Sequence, residues 1–264
     1  MLLAMAEPLQ YSIDGVILEP GEAFLPLPDD GLFRGDGVFE VVRVYGGSPF
    51  ALDLHLDRME LSAAAIDLPL DRDGLECDAA ALLGSGESDC LLRLITSRAG
   101  RRVLSLEPLP DHTPTIALAT VIYTPTVILN GVKSLSYAAN MQATRIAKQS
   151  GAAEALFVRP DGIVLEPPTS TIFWTTAEGL LRTPALEAGV LDSITRRKVI
   201  ERLEVEEGEF PLEDLLAAPE TFLASTTREI QPIDRIDDRV FSDLPGPETR
   251  AAMAALSRAL EDDL

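Results

Sequence analysis

The chain has 264 residues, 46 % of them apolar and 25 % charged, enough to bury one large core or two medium ones. Its 43 acidic and 22 basic residues give a formal charge of −21, which excludes sequence-independent binding to nucleic acid or an anionic membrane, since both need Lys and Arg to neutralise phosphates. No run reaches the roughly 18 apolar residues of a membrane span, and the first ten residues lack a basic region and a long apolar region, so the protein is expected in the cytoplasm.

Residues 11–18 alternate as strands, and 37–45 form a β-rich run that stops at the turn Gly46-Gly47. A helix is expected from about Asp53, where apolar residues recur at helical spacing through Ala65. Strands at 91–96 and 115–123 complete a small α+β domain over residues 1–120. Turn signals gather from Pro110 to Asn130-Gly131, which places the interdomain link at 121–131. The second domain, 132–264, opens with a helix at 137–149. Strands at 154–159 and 162–165 follow, joined as a hairpin by Asp161-Gly162, with another strand at 171–175. Asp192-Ser193 opens a helix at 194–203, a strand at 221–224 runs into Ser225-Thr226-Thr227, and a helix at 246–260 closes the chain.

Cys77 and Cys90 are too few for a disulfide framework, and neither they nor His55 and His112 have metal-ligand spacing. Both histidines read as structural. The basic residues are 19 Arg and three Lys, at Lys133, Lys148 and Lys198. Arg keeps its proton near neutral pH, whereas Lys can be tuned to lose it and attack a carbonyl, so each Lys is a candidate nucleophile as well as a candidate surface charge. Three places suit an anion: the helix start Asp192-Ser193-Ile194-Thr195, the donors of Ser225-Thr226-Thr227, and Arg58. Each has a plain alternative, namely helix capping, an ordinary turn and a salt bridge.

Taken in order, these pieces resemble the fold-type IV enzymes that use pyridoxal 5'-phosphate (PLP): branched-chain and D-amino-acid aminotransferases and aminodeoxychorismate lyase. The match covers about residues 28–235. Arg34-Gly35-Asp36-Gly37-Val38-Phe39-Glu40 with His55-Leu56-Asp57-Arg58 is similar to the block whose Arg binds the cofactor phosphate. Lys133-Ser134-Leu135-Ser136-Tyr137 resembles the segment whose Lys forms a Schiff base with PLP and whose aromatic approaches the phenolic oxygen. Gly162-Ile163-Val164-Leu165-Glu166 resembles the strand whose Glu contacts the pyridine nitrogen. The runs 189–196 and 225–230 resemble two phosphate-binding turns, which implies roles for Ser193, Ile194, Thr195 and Thr226. Relatives usually follow the Glu with Gly and have Asn before the next strand, where this chain has Pro167-Pro168 and Thr171, and Ser136 stands where Asn is frequent.

The resemblance implies an α+β, two-domain fold-type IV enzyme, with a small α/β domain and a larger domain holding a pseudo-barrel of strands. It implies PLP as cofactor, small amino-acid and keto-acid substrates, and a homodimer. Lys133 is then both tether and base, and a carboxylate from Glu166 favours the protonated ring nitrogen. Phe39 and Thr227 are candidate substrate contacts. Arg101 or Arg102 is a candidate grip for an α-carboxylate, and an exposed Arg balancing the acidic surface is the equal alternative. The expected activity is amino-group transfer between a small amino acid or amine and an α-keto acid. The alternative is 4-amino-4-deoxychorismate lyase, which releases pyruvate and 4-aminobenzoate.

Overall fold

In Gly37–Tyr45, the longest strand, Val38, Val42 and Val44 are wholly buried on one face while residues 41, 43 and 45 stay half-buried on the other. That two-residue period marks a strand with one face in a core. The computed structural model describes residues 8–264 apart from 85, 87 and 88, and divides into two units.

The first unit runs through Asp111 and also takes in Val132–Ser136 and Asp263–Leu264. It contains β1 (Gln10–Ile13), β2 (Val16–Leu18), α1 (Asp30–Arg34), β3 (Gly37–Tyr45), β4 (Ser48–Pro49), α2 (Leu52–Ala65), α3 (Arg72–Leu83), β5 (Cys90–Ser97) and β6 (Arg102–Glu107). Its six strands are antiparallel throughout, in the order β2-β1-β6-β5-β3-β4. Asp14-Gly15, both at positive φ, make the tight turn between β1 and β2. Leu92, Leu94, Leu104 and Leu106 on the sheet pack with Leu56 and Met59 of α2 and Leu75 and Leu82 of α3. Each such buried side chain contributes about 1.5–3 kcal/mol relative to exposure.

The second unit holds β7 (Ile116–Ile122), α4 (Ala138–Gln149), β8 (Glu154–Val158), β9 (Thr171–Thr175), β10 (Leu181–Pro184), α5 (Ile194–Ile200) and β11 (Val205–Gly208). Then come α6 (Leu212–Ala217), β12 (Thr221–Ser225), β13 (Glu229–Ile236), β14 (Arg239–Val240) and α7 (Pro247–Asp263). Its mixed eight-stranded sheet, in the order β11-β10-β9-β12-β13-β7-β8 with β14 on β13, curls into a half-barrel. Every residue of β8, β9 and β12 is buried. Glu220 caps α7, accepting the N–H groups of Glu248 (2.9 Å) and Thr249 (3.1 Å) and the Thr249 hydroxyl (2.8 Å).

Four expectations change. The run at 115–123 does not complete the first sheet: β7 pairs in parallel with β8 through the crossover helix α4, and with β13 on its other side. The division falls after Asp111 instead of at 121–131, and Val132–Ser136 groups with the first unit. The hairpin arm at 162–165 forms no full strand but still pairs with β8, through the bridge between Val158 and Val164 and the bonds from Arg159 N–H to Ile163 O (2.8 Å) and Leu165 N–H to Phe157 O (2.9 Å), while Ile163 also bridges to Pro211. Gly162, at φ 88, still makes the turn, with its N–H donating to Arg159 O. The helix expected to run to 203 stops at Ile200, and Leu203 N–H closes a final turn onto Val199 O. Among the described residues no helix is long and apolar enough to cross a membrane, and no group of three or more His, Cys, Asp or Glu side chains is placed to hold a metal.

Candidate active site

Lys133 has a built seat in the first unit. Its carbonyl accepts the N–H of Phe39 at 3.0 Å, its own N–H donates to Ser62 Oγ on α2 at 3.1 Å, and Leu135 N–H donates to Gly37 O at 2.9 Å. The short run thus pairs antiparallel with the start of β3, Ser134 bridging to Val38. Gly37 allows this approach, since a Cβ there would lie 2.6 Å from Leu135 Cδ1 and 2.5 Å from Thr96 O. The Lys133 ammonium lies 4.6 Å from the centroid of the Phe39 ring, within cation–π range. By contrast Lys148 is exposed on α4, and Lys198 lies 3.9 Å from Glu201 on α5.

Arg58 is buried, and its partner is Glu40. On β3, Glu40 stands on the core face between Val38 and Val42 and is 0 % exposed. Arg58 Nε donates to Oε1 and Nη2 to Oε2, both at 2.7 Å, a bidentate pair, while His55 Nδ1 lies 2.8 Å from Oε2. His55 and Arg58 are three apart on α2, so both reach the same strand position. Burial alone would raise the Glu40 carboxyl, but the Arg58 charge and the hydrogen bonds from His55 and Arg58 outweigh it and hold the pKa at about 2. Burial pushes the His55 imidazole below its ordinary value against the opposing hydrogen bond and charge of Glu40, with Arg58 and Lys133 adding to the depression. His55 is therefore neutral at pH 7 and donates to Glu40. Sequence reasoning missed Glu40 as Arg58's holder. Its signal was a lone carboxylate in an otherwise apolar period-two row.

The arginines expected to grip a carboxylate are occupied. Arg101 Nη1 donates to Asp14 at 2.5 Å, and Arg102 donates to Asp78 at 2.9 Å and Asp71 at 2.6 Å. The ion-pair alternative describes both. Phe39 has a guanidinium beside it, that of Arg93 on β5, whose Cζ is 5.9 Å from the ring centroid. Arg93 is itself held by Glu107 at 2.5 and 2.8 Å.

In the second unit, Tyr137 precedes α4, and its hydroxyl donates to Pro168 O at 2.5 Å. Asn140 Nδ2 donates to the same carbonyl at 3.0 Å. The Pro167-Pro168 departure is thereby pinned from α4. Glu166 Oε1 accepts Leu191 N–H at 2.8 Å, which ties it to the run that leads into α5. Ser193 is the N-cap of α5, with Oγ accepting Arg196 N–H at 3.4 Å, and Ile194 and Thr195 are buried behind it. Thr226 and Thr227 belong to the three-residue loop that joins β12 to β13 between the paired residues Ser225 and Glu229.

Ser170 Oγ and Thr171 Oγ1 are buried without a hydrogen-bond partner, and Thr171 faces Ala224 across the β9–β12 ladder. An orphaned buried hydroxyl costs free energy, so two together beside the Glu166 loop fit a site completed by a polar group from elsewhere. Taken by itself, each unit holds groups that fit part of PLP: in the second, a carboxylate suited to a basic nitrogen and a hydroxyl-rich hairpin loop suited to a phosphate, and in the first, a seated amine suited to an aldehyde.

A family model described as amino-transferase class IV matches residues 37–236. The chain is 32 % identical to a putative branched-chain-amino-acid aminotransferase of Methanocaldococcus jannaschii, over 89 % of this chain and 90 % of that one. It is 28 % identical to an aminodeoxychorismate lyase of Bacillus subtilis, over 95 % and 94 % of the two chains. Among solved structures, the PLP-bound form of a hypothetical aminotransferase from Mycobacterium tuberculosis superposes with a TM-score of 0.86 at 25 % identity, covering 97 % of this chain and 100 % of that one.

Proposed function

Since the chain belongs to the class IV aminotransferases, a family of PLP-dependent enzymes, we propose that it moves an amino group between a small amino acid or amine and an α-keto acid, as a cytoplasmic homodimer. The observation that carries this reading is the seating of Lys133, whose main chain is held by β3 and α2 and whose amine lies against Phe39. The bound cofactor supplies a cationic ring that accepts the electron pair released at the substrate Cα. Lys133 would tether it and, once displaced by the incoming amine, its Nζ would carry the proton from Cα to the former aldehyde carbon. Glu166 keeps a proton on the ring nitrogen. Tyr137 approaches the phenolic oxygen. Arg58, Ser193, Ile194, Thr195 and Thr226 hold the phosphate, and Phe39 and Thr227 line the substrate. Arg101 and Arg102 take no role here, since aspartates engage both in exposed or half-buried pairs, whereas the buried pair with Glu40 fixes the guanidinium of Arg58.

Self-association is supported by a run in the first unit that exposes Val16, Ile17, Phe24, Leu27, Leu32 and Phe33, with Phe24 at 78 %. The lyase reading is retained as the alternative on the strength of the Bacillus subtilis relative. The test is the near-visible absorption of the purified protein with PLP, alone and after each of a panel of L- and D-amino acids, beside Lys133→Ala. A band that is absent from the variant, that one class of donor discharges and that an α-keto acid then restores, supports transfer. Release of pyruvate and 4-aminobenzoate from aminodeoxychorismate without keto-acid dependence selects the lyase. No band in the parent protein overturns both.

A further inference from the structure

A second buried carboxylate, Glu154, joins the loops assigned to the cofactor in the second unit. It opens β8 and is 2 % exposed. Its Oε1 accepts the N–H of Thr169 at 3.2 Å and the Thr169 hydroxyl at 2.7 Å, and its Oε2 accepts Arg228 Nη2 at 2.8 Å. Thr169 follows Glu166 after only Pro167-Pro168, whose fixed φ angles leave little slack between the two. Arg228 is the last residue of the Thr226-Thr227-Arg228 loop, and its own N–H donates to Ser225 Oγ at 3.2 Å. Its Nη1 reaches Gln231 Oε1 at 2.9 Å and lies 3.3 Å from His112 Nδ1, while Gln231 Nε2 donates to Thr113 O at 2.6 Å. The next residue, Glu229, is held at φ 57, a left-handed conformation that persists only where its surroundings impose it.

A buried carboxylate has to be paired, and one arginine would suffice for that. Glu154 instead divides its oxygens between the run after Glu166 and the loop carrying Thr226. We propose that Glu154 is a positioning residue, which through Arg228 and Thr169 sets the spacing between the phosphate-binding loop at Thr226-Thr227 and the ring-binding carboxylate of Glu166. This rests on the cofactor assignment above and deepens it. A ligand that engages both ends depends on the spacing, and one that engages only the ring does not.

The experiment is titration of the full chain, stripped of cofactor, with PLP and separately with pyridoxal, which lacks the phosphate. Glu154→Gln keeps the volume and removes the charge. Its affinity for PLP is expected to fall about 10- to 100-fold, the range for residues that orient a bound group from behind, and its affinity for pyridoxal to change by far less. Arg228→Lys retains the charge on a single contact and is expected to lose less than Arg228→Ala. Thr169→Val, at an exposed position and therefore safe for folding, is expected to show the same preference for harming PLP on a smaller scale. Equal losses for both ligands, or an unchanged PLP affinity in Glu154→Gln and Thr169→Val, would overturn the positioning role while leaving the cofactor assignment intact. A parent chain that binds neither ligand removes the cofactor assignment, and the positioning role with it.

Discussion

Glu40 and Glu154 are both buried, and both are paired with an arginine, but they are built differently. The oxygens of Glu40 converge on two side chains of a single helix, at the centre of an apolar sheet face. Those of Glu154 diverge, one to each of two loops at the rim of the curled sheet. A convergent pair adds to the rigidity of elements that are already rigid, whereas a divergent one transmits position between segments that the backbone alone would leave independent. The same residue type, buried to the same degree, therefore braces a scaffold in one unit and sets a distance in the other.

The comparison breaks first on stability. Glu40→Ala leaves Arg58 as an uncompensated buried charge and is expected to cost about 3–5 kcal/mol in denaturant unfolding. Glu154→Ala should cost less, because Thr169 at the surface regains water. An equal or larger loss at Glu154 would erase the distinction.

Acid sharpens it next. The folded pKa of Glu40 is depressed from 4.5 to about 2, so its stabilisation is complete above the unfolded value and is lost as the pH falls through that interval. The folded pKa of His55 is also depressed, so the unfolded chain takes up its proton first and stability begins to fall below about 6.5. Both signs agree that acid unfolds. His55→Gln is expected to flatten the limb that begins below about pH 6.5, seen in thermal melts across it. A smaller effect is expected at the α7 cap, where Glu220→Ala should cost about 1–2 kcal/mol as the N–H groups of Glu248 and Thr249 lose their acceptor. Smallest of all is Arg101→Ala, whose exposed pair with Asp14 contributes up to about 1 kcal/mol. Keto-acid affinity in that variant should match the parent.

Much of this was legible in the residues. The strand at 37–45 and the strand at 171–175 fall where alternation and β-branched content put them, and the turns at Gly46-Gly47 and Asp161-Gly162 fall where glycine permits positive φ. What the pattern could not carry was pairing. The run at 115–123 reads as a strand in either sheet, and only the parallel ladder with β8 decides which. α3, β6, β10, β11, α6 and β13 escaped because their apolar residues are few or interrupted by charge, and tertiary packing outweighs weak local preference. Arg101 and Arg102 were ambiguous for a related reason: in an acidic chain an arginine's partner is set by which aspartates fold beside it, and Asp14, Asp71 and Asp78 lie far from it in sequence.

The run Val132–Ser136 belongs to the first unit but is reached only through β7 and the turn that follows it. In synthesis, Phe39 and Ser62 leave the ribosome some 70 residues or more before Lys133, so the cradle precedes the amine that fills it. Lys133 is delivered late, like a key cut for a lock already hung. A chain stopped at Asp111 is expected to keep the six-stranded sheet and its buried ion pair while lacking the amine, and a short peptide spanning 132–136 has the hydrogen bonds to Gly37 and Phe39 with which to dock onto it.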